Sequence, residues 1–228
     1  MRTGGIVLLW LVLTGGAVGQ SWQWGPVVTG NYTWVTVKAM SSFVHDQYAR
    51  PLPGYGIGLR AKTTWAEKWH LQPTLMYERL RNHYDPAVQL YDGTGQANFS
   101  INLRSVRHAV QGSLLLMYGK RWRVGAGLSA YGTLFARLKS KPGVLRSQQG
   151  AVLLHNDQIV TRNYFFRATT LAVPLVASVE LTERLQVQGR FSKGLVSRIS
   201  DRRSYFREVE NTFALELTYW FGASAAGE

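Results

Sequence analysis

The sequence predicts an all-β protein, an eight-stranded antiparallel up-and-down transmembrane β-barrel. Apolar and polar residues alternate with period two along most of the chain, while helical periodicity is nearly absent. Short and long connections between the alternating runs take turns without exception. Charged residues make up only 17% of the chain, below the roughly 25% of an average soluble domain.

Alternation places strands near Tyr32–Met40, Tyr55–Trp65, Trp69–Leu80, Ser105–Tyr118, Trp122–Leu138, Phe165–Leu181, Leu185–Leu195 and Thr212–Phe221. The closing stretch NTFALELTYWFG shows the pattern plainly. Phe213, Leu215, Leu217, Tyr219 and Phe221 share one side of an extended chain, and Thr212, Ala214, Glu216, Thr218 and Trp220 the other. In the fifth strand Trp122, Val124, Ala126, Leu128, Ala130, Leu134 and Leu138 are expected to face out, and in the first Val35, Val37 and Ala39. Pro73 and Pro174 each remove one ladder hydrogen bond, so a bulge or local gap is expected at both.

The connections AEK, GKR and TER are hairpin-tight, whereas the other four are long. In a closed barrel this gathers all short turns at one end and all long loops at the other, the layout of outer-membrane barrels. Tryptophan position indicates what the apolar faces touch. Trp65, Trp69 and Trp122 flank short turns, and Trp220 ends the last strand at that same end. Amphipathic rings prefer the membrane–water boundary, so these four are expected to form an interface belt. A second belt is expected at the long-loop end, from Tyr55, Tyr84, Phe165 and their aromatic neighbours. The apolar faces then turn outward to lipid.

The chain begins MRTGGIVLLWLVLTGGAVGQ. Arg2, the apolar run Ile6–Leu13 and the small residues Ala17 and Gly19 before Gln20 form the three regions of a secretory signal peptide. Residues 1–19 are therefore expected to be a cleaved signal, and 20–228 a single barrel domain of the bacterial outer membrane. There is no cysteine, hence no disulfide framework. The net charge of +13 suits anionic lipid heads or nucleic acid, and export argues against the latter.

LQPTLMYE at Leu71–Glu78, SLLLMYGKRWRVGAGLSAYGTL at Ser113–Leu134, LAVPLVASVEL at Leu171–Leu181 and RFSKGL at Arg190–Leu195, with the closing strand, resemble the PorT-like outer-membrane β-barrel family. The resemblance covers nearly all of the mature chain. It implies an exported eight-stranded barrel, usually without an assigned activity, with one branch serving a secretion and gliding machinery. The chain departs from that pattern in the tail ASAAGE after Phe221.

The phasing turns Arg60, Lys62, Glu78, Arg107, Arg123, Glu180, Arg190 and Glu216 inward, interleaved with Gly56, Gly58, Ser113, Gly125 and Gly127. An eight-stranded barrel is just wide enough for side chains to fill it, so these charges are expected to form a paired plug. The competing expectation is a narrow basic conduit for anions. Glu78, Glu180 and Glu216 come from separate strands without acid–base spacing. No G-x-S-x-G nucleophile motif accompanies His108, so neither catalytic nor cofactor residues are assigned. An outer-leaflet lipid-modifying enzyme remains the third reading. The loop histidines His45, His83 and His155 each stand near an aspartate, but a metal site would need ligands from different loops, and none is assigned. GYGIGL at Gly54–Leu59 lacks the following helix of a phosphate loop. Arg202, Arg203, Tyr205, Phe206 and Arg207 in the last long loop are the expected contacts with outer-membrane lipids, lipopolysaccharide or an envelope protein.

Overall fold

The computed structural model describes residues 22–39, 47–48, 50–84, 87–92, 95–100, 103–140, 143–146, 152–156, 167–198 and 206–221. Side chains are described over 22–36, 50–64, 66–83, 104–137, 167–198 and 208–221. Among the described residues there are thirteen strands and no helix. They are β1 (Trp22–Ala39), β2 (Gln47–Tyr48), β3 (Arg50–Ala66), β4 (Trp69–Tyr84), β5 (Ala87–Asp92), β6 (Gly95–Ser100) and β7 (Leu103–Gly119). Then follow β8 (Trp122–Ser140), β9 (Gly143–Arg146), β10 (Val152–Asn156), β11 (Thr169–Glu180), β12 (Leu185–Gly194) and β13 (Phe206–Tyr219).

Eight strands, β1, β3, β4, β7, β8, β11, β12 and β13, pair antiparallel in that order. β13 pairs back onto β1 from Val27↔Thr218 to Ala39↔Phe206, which closes the ring. The expected up-and-down barrel is therefore present. Six of the eight strands are longer than the alternation suggested, whereas β11 and β12 are shorter. β1 starts at Trp22 rather than Tyr32, because Gly25, Pro26 and Gly30 hide its extended character in the sequence. A Cβ on Gly25 would lie 1.7 Å from the Tyr219 carbonyl oxygen, so glycine permits the close approach of β13. The long connections also carry strands that were expected to be loop. β2 attaches to β1, and β5, β6, β9 and β10 form a second, four-stranded sheet. The two residues Gly93-Thr94 between AVQLYD and GQANFS are the hairpin signal for β5 and β6.

Both prolines produce the expected gap. Pairing of β3 with β4 stops after Arg60↔Thr74 and resumes at Thr63↔Leu71, next to Pro73. Pairing of β8 with β11 stops at Ala172↔Ser129 and resumes at Leu175↔Ala126, skipping Pro174. The register is the same on both sides of each gap, so one missing N–H is absorbed without a bulge.

Two corrections concern phase. In β1 the odd residues face in: Val35 and Val27 are fully buried, while Trp24, Val28 and Tyr32 are exposed. The expected outward face of Val35 is thus inverted, because pairing of β1 with β13 fixes its pleat. In β8 the pairs His108↔Phe135 and Ala109↔Thr133 leave Leu134 unpaired, a bulge. Even residues face out before it, and afterwards Phe135 and Arg137 face out while Ala136 is buried. The expected unbroken alternation to Leu138 fails there; the side chain of Leu138 lies outside the described ones.

Inside the wall, small residues let neighbouring strands approach. A Cβ on Gly58 would meet the Leu75 carbonyl oxygen at 2.2 Å, and one on Gly127 the Leu114 carbonyl oxygen at 2.0 Å. In the turn between β7 and β8, Gly119 has φ of +131°, a conformation open to glycine.

Candidate functional site

The inward faces bring three groups of charges into the lumen. At the short-turn end Glu180 closes β11 and its Oε1 takes both Lys62 Nζ at 2.7 Å and an Arg123 N–H at 2.6 Å. Lys62 also lies 4.8 Å from the centre of the Trp220 ring.

At mid-barrel the charges alternate along a chain Arg60, Glu216, Arg190, Glu78. Glu216 sits between two guanidinium groups, ion-paired to Arg60 and accepting Arg190 Nε–H at 2.6 Å. Arg190 also donates to Glu78 Oε1 at 2.5 Å, to the Tyr131 hydroxyl at 3.0 Å and to Ser192 at 3.4 Å. Two further Arg60 N–H groups donate to Thr74 at 3.0 Å and Thr218 at 3.1 Å. Gln188 adds a 3.0 Å bond to Glu216. All four charged side chains are at most 2% exposed. Buried charges are tolerated where opposite charge and hydrogen bonds replace water, and here both are supplied by different strands.

At the long-loop end Arg107 pairs with Glu210 at 2.9 Å, and Arg198 with Glu208 at 2.7 Å. Beside them lies a cavity of about 10 Å³, lined by Arg107, Tyr131, Thr170, Ser192, Arg198 and Glu210 among others. That volume admits about one water molecule.

Seven of the eight sequence-assigned lumen charges are buried, and the eighth, Glu180, lies partly exposed at the short-turn rim, held by Lys62 and Arg123. Sequence reasoning missed Glu208 and Glu210, because β13 begins at Phe206 rather than Thr212, and Arg198, which lies beyond the end of β12 in a segment expected to be loop. The signal was present: Glu208 and Glu210 continue the period-two alternation that ends in Glu216. With them the ion-paired groups become Lys62, Arg60, Arg107, Arg123, Arg190 and Arg198 against Glu78, Glu180, Glu208, Glu210 and Glu216. Among these described groups bases exceed acids by a single charge, against five to three in the sequence assignment.

The outer wall is apolar. Ile57, Leu59, Leu75, Val124, Leu128, Leu175 and Leu215 are all more than half exposed. At the short-turn end Trp69 and Trp122 face outward, Trp122 with 73% exposure, as expected for belt residues. Trp69 packs on Tyr118 and Trp24 on Phe221, each with ring centroids 5.0 Å apart. Trp220 is the correction. It is fully buried in the lumen, where its Nε1–H donates to Gln186 Oε1 at 3.2 Å. It follows Tyr219 by one residue, so the pleat that turns Tyr219 and Phe221 to the outside turns Trp220 in. The side chain of Trp65 lies outside the described ones, as do those of Phe206 and Arg207; Arg202, Arg203 and Tyr205 lie outside the described residues altogether.

A closed ring of strands with an apolar outer wall and a filled, charged interior defines a membrane-spanning β-barrel, since closure satisfies every backbone ladder without an edge. Solved structures of similar shape are Ail, the attachment invasion locus protein of Yersinia pestis, Neisserial surface protein A and the outer membrane protein OprG from Pseudomonas aeruginosa. Ail is 10% identical with a TM-score of 0.46, covering 87% of this chain and 98% of its own. Neisserial surface protein A is 11% identical with a TM-score of 0.44, covering 89% and 99%. OprG is 13% identical with a TM-score of 0.35, covering 87% and 97%. At this distance no site or activity carries over. No family model and no curated protein matches the chain.

Proposed function

We propose that the protein is an integral outer-membrane barrel whose lumen is sealed and whose work is structural or interactive, done at the long-loop end. The observation that carries this reading is the buried chain Arg60–Glu216–Arg190–Glu78 across mid-barrel inside an apolar wall. Each member is held by others from different strands, so a permeating anion would have to replace partners already in place. The signal-peptide pattern supports export, and the polar loop-end segments support contact with outer-leaflet lipid or an envelope protein. Resemblance to the PorT-like family supports a place beside a secretion or gliding machinery. An anion pore and a lipid-modifying enzyme are less well supported, the first because of the ion-paired plug and the second because the lumen carboxylates are committed to arginine.

The test has two readouts. Protein from an outer-membrane fraction should change gel mobility on boiling, since a closed barrel stays folded in mild detergent. Reconstituted in a planar bilayer, it should leave the baseline current unchanged. Recovery from the soluble periplasm would overturn the membrane reading, and steady ion-selective steps would overturn the sealed lumen.

A further inference from the structure

The outward faces of β3, β4, β7 and β8 carry a basic cluster at the long-loop end. Directly paired residues on adjacent strands share a face, and three lateral rows result. The lowest is Tyr55↔Arg79↔His108↔Phe135. Above it runs Leu52↔Arg81↔Val106↔Arg137, and above that Arg50↔His83↔Arg104. Two irregularities in register build this patch. A shift between Leu52 and Tyr55 keeps Arg50 on the outside, and the bulge at Leu134 turns Arg137 outward. Unbroken pleats would have sent both to the lumen face.

The cluster sits directly above lipid-facing surface, with Tyr77, Ile57 and Leu75 below it on β3 and β4. Its cations are backed by rings: the Arg79 guanidinium lies 5.7 Å from the centre of the Tyr55 ring, and that of Arg137 5.5 Å from Phe135. Arg79 Nε and Arg81 Nε are shielded from solvent and make no hydrogen bond within the protein. No carboxylate occurs among the described outward residues of these strands at this end. The opposite wall differs. The described outward faces of β12 and β13 present Phe191, Phe213, Leu215 and Leu217, with Lys193 as their charge. Among the described side chains, the outward positive charge at this end is thus concentrated on β3, β4, β7 and β8.

The geometry points to a binding site for the phosphate groups of a phosphorylated outer-leaflet glycolipid, centred on Arg79, Arg81 and Arg137. Arginine forks match phosphate oxygens in pairs, and strands about 4.8 Å apart set Arg81 and Arg137 about 10 Å apart across β7, a span suited to more than one phosphate. The glycolipid's acyl chains would lie on the apolar wall beneath, and its sugar phosphates at the arginine level. The site rests on the outer-membrane reading given above and refines it.

Binding is to be measured with the folded barrel reconstituted in phosphatidylethanolamine vesicles, with and without lipid A, and separately with phosphatidylglycerol. Heat-modifiable mobility of each variant reports folding independently. Wild type should hold lipid A at least tenfold more tightly than phosphatidylglycerol, and R79Q/R81Q/R137Q should lose at least tenfold of that affinity while remaining heat-modifiable. R79K/R81K/R137K keeps the charge but not the fork, and should fall between the two. R121Q/R184Q, at the short-turn end, should bind as wild type. Equal affinity for lipid A and phosphatidylglycerol would overturn the proposal in favour of unspecific charge attraction. Unchanged lipid A binding by R79Q/R81Q/R137Q would overturn the site. Absence of heat-modifiable barrel in wild type would instead overturn the membrane reading on which the site depends.

Discussion

Arg190 holds more of the lumen together than any neighbour, because its guanidinium spans two carboxylates and a tyrosine. Replacing it with methionine leaves Glu78 without its cation, and removing one member of a buried pair typically costs about 3–5 kcal/mol. R190M should therefore lower stability by about that amount in detergent unfolding. Adding E78Q should recover part of the loss, since the orphaned charge goes with it; a double change as costly as the sum of the two singles would show that the pair is not coupled. Trp220 offers a second test at this scale. Among single-tryptophan versions in vesicles of lipid with brominated acyl chains, those retaining Trp69 or Trp122 should be quenched strongly and the one retaining Trp220 hardly at all. The inward turn of Trp220 was legible from the alternation of NTFALELTYWFG, which sets it opposite Phe221. Grouping tryptophans by their distance from a turn gave height along the barrel but not face.

At the scale of strands, the sequence showed most where side chains alternate cleanly and least where glycine, proline or a bulge interrupts them. β7 and β12 lie within two residues of their expected bounds, and β11 keeps its expected alternation of leucine and valine but starts at Thr169 rather than Phe165. β1 was misphased because its outward positions include Gly30 and its inward positions include Val27 and Val35, which inverts the usual contrast. The bulge at Leu134 has no composition signal: its residue is as apolar as the alternation demands, and only pairing with β7 reveals it. Glycines provide a direct test of strand approach. A side chain at Gly127 would press on the backbone of β7, whereas one at Gly112 meets nothing within 4 Å. G127V should cost about 1–3 kcal/mol or abolish the folded band before boiling, by analogy with overpacked cores. G112V should leave that band intact.

For the whole molecule, near-balance of charge inside and excess positive charge outside predict two different responses to salt. Pairs shielded from solvent are screened little, whereas exposed charges separated by more than about 3 Å are screened at 1 M ionic strength. The unfolding midpoint in detergent should therefore shift little on raising sodium chloride, while attachment of lipid A to the outer arginines weakens. A midpoint that fell steeply with salt would mean that water and ions reach the Arg60–Glu216–Arg190–Glu78 chain. The barrel itself was legible from rhythm alone, because short and long connections alternate over the full length. The second sheet was not, since its strands are six residues or fewer and carry mixed polarity.

Closure between β1 and β13 also sets an order of events. Hairpins such as β7–β8 join neighbours a few residues apart, but Val27 finds Thr218 only after everything between them exists. Contacts of such long sequence separation form late and slowly. Until that last seam forms, β1 and β13 each present an open edge on which any other extended chain could pair. The slow step of assembly is thus the joining of first strand to last, and a helper that shields those two edges would speed maturation without touching the finished barrel.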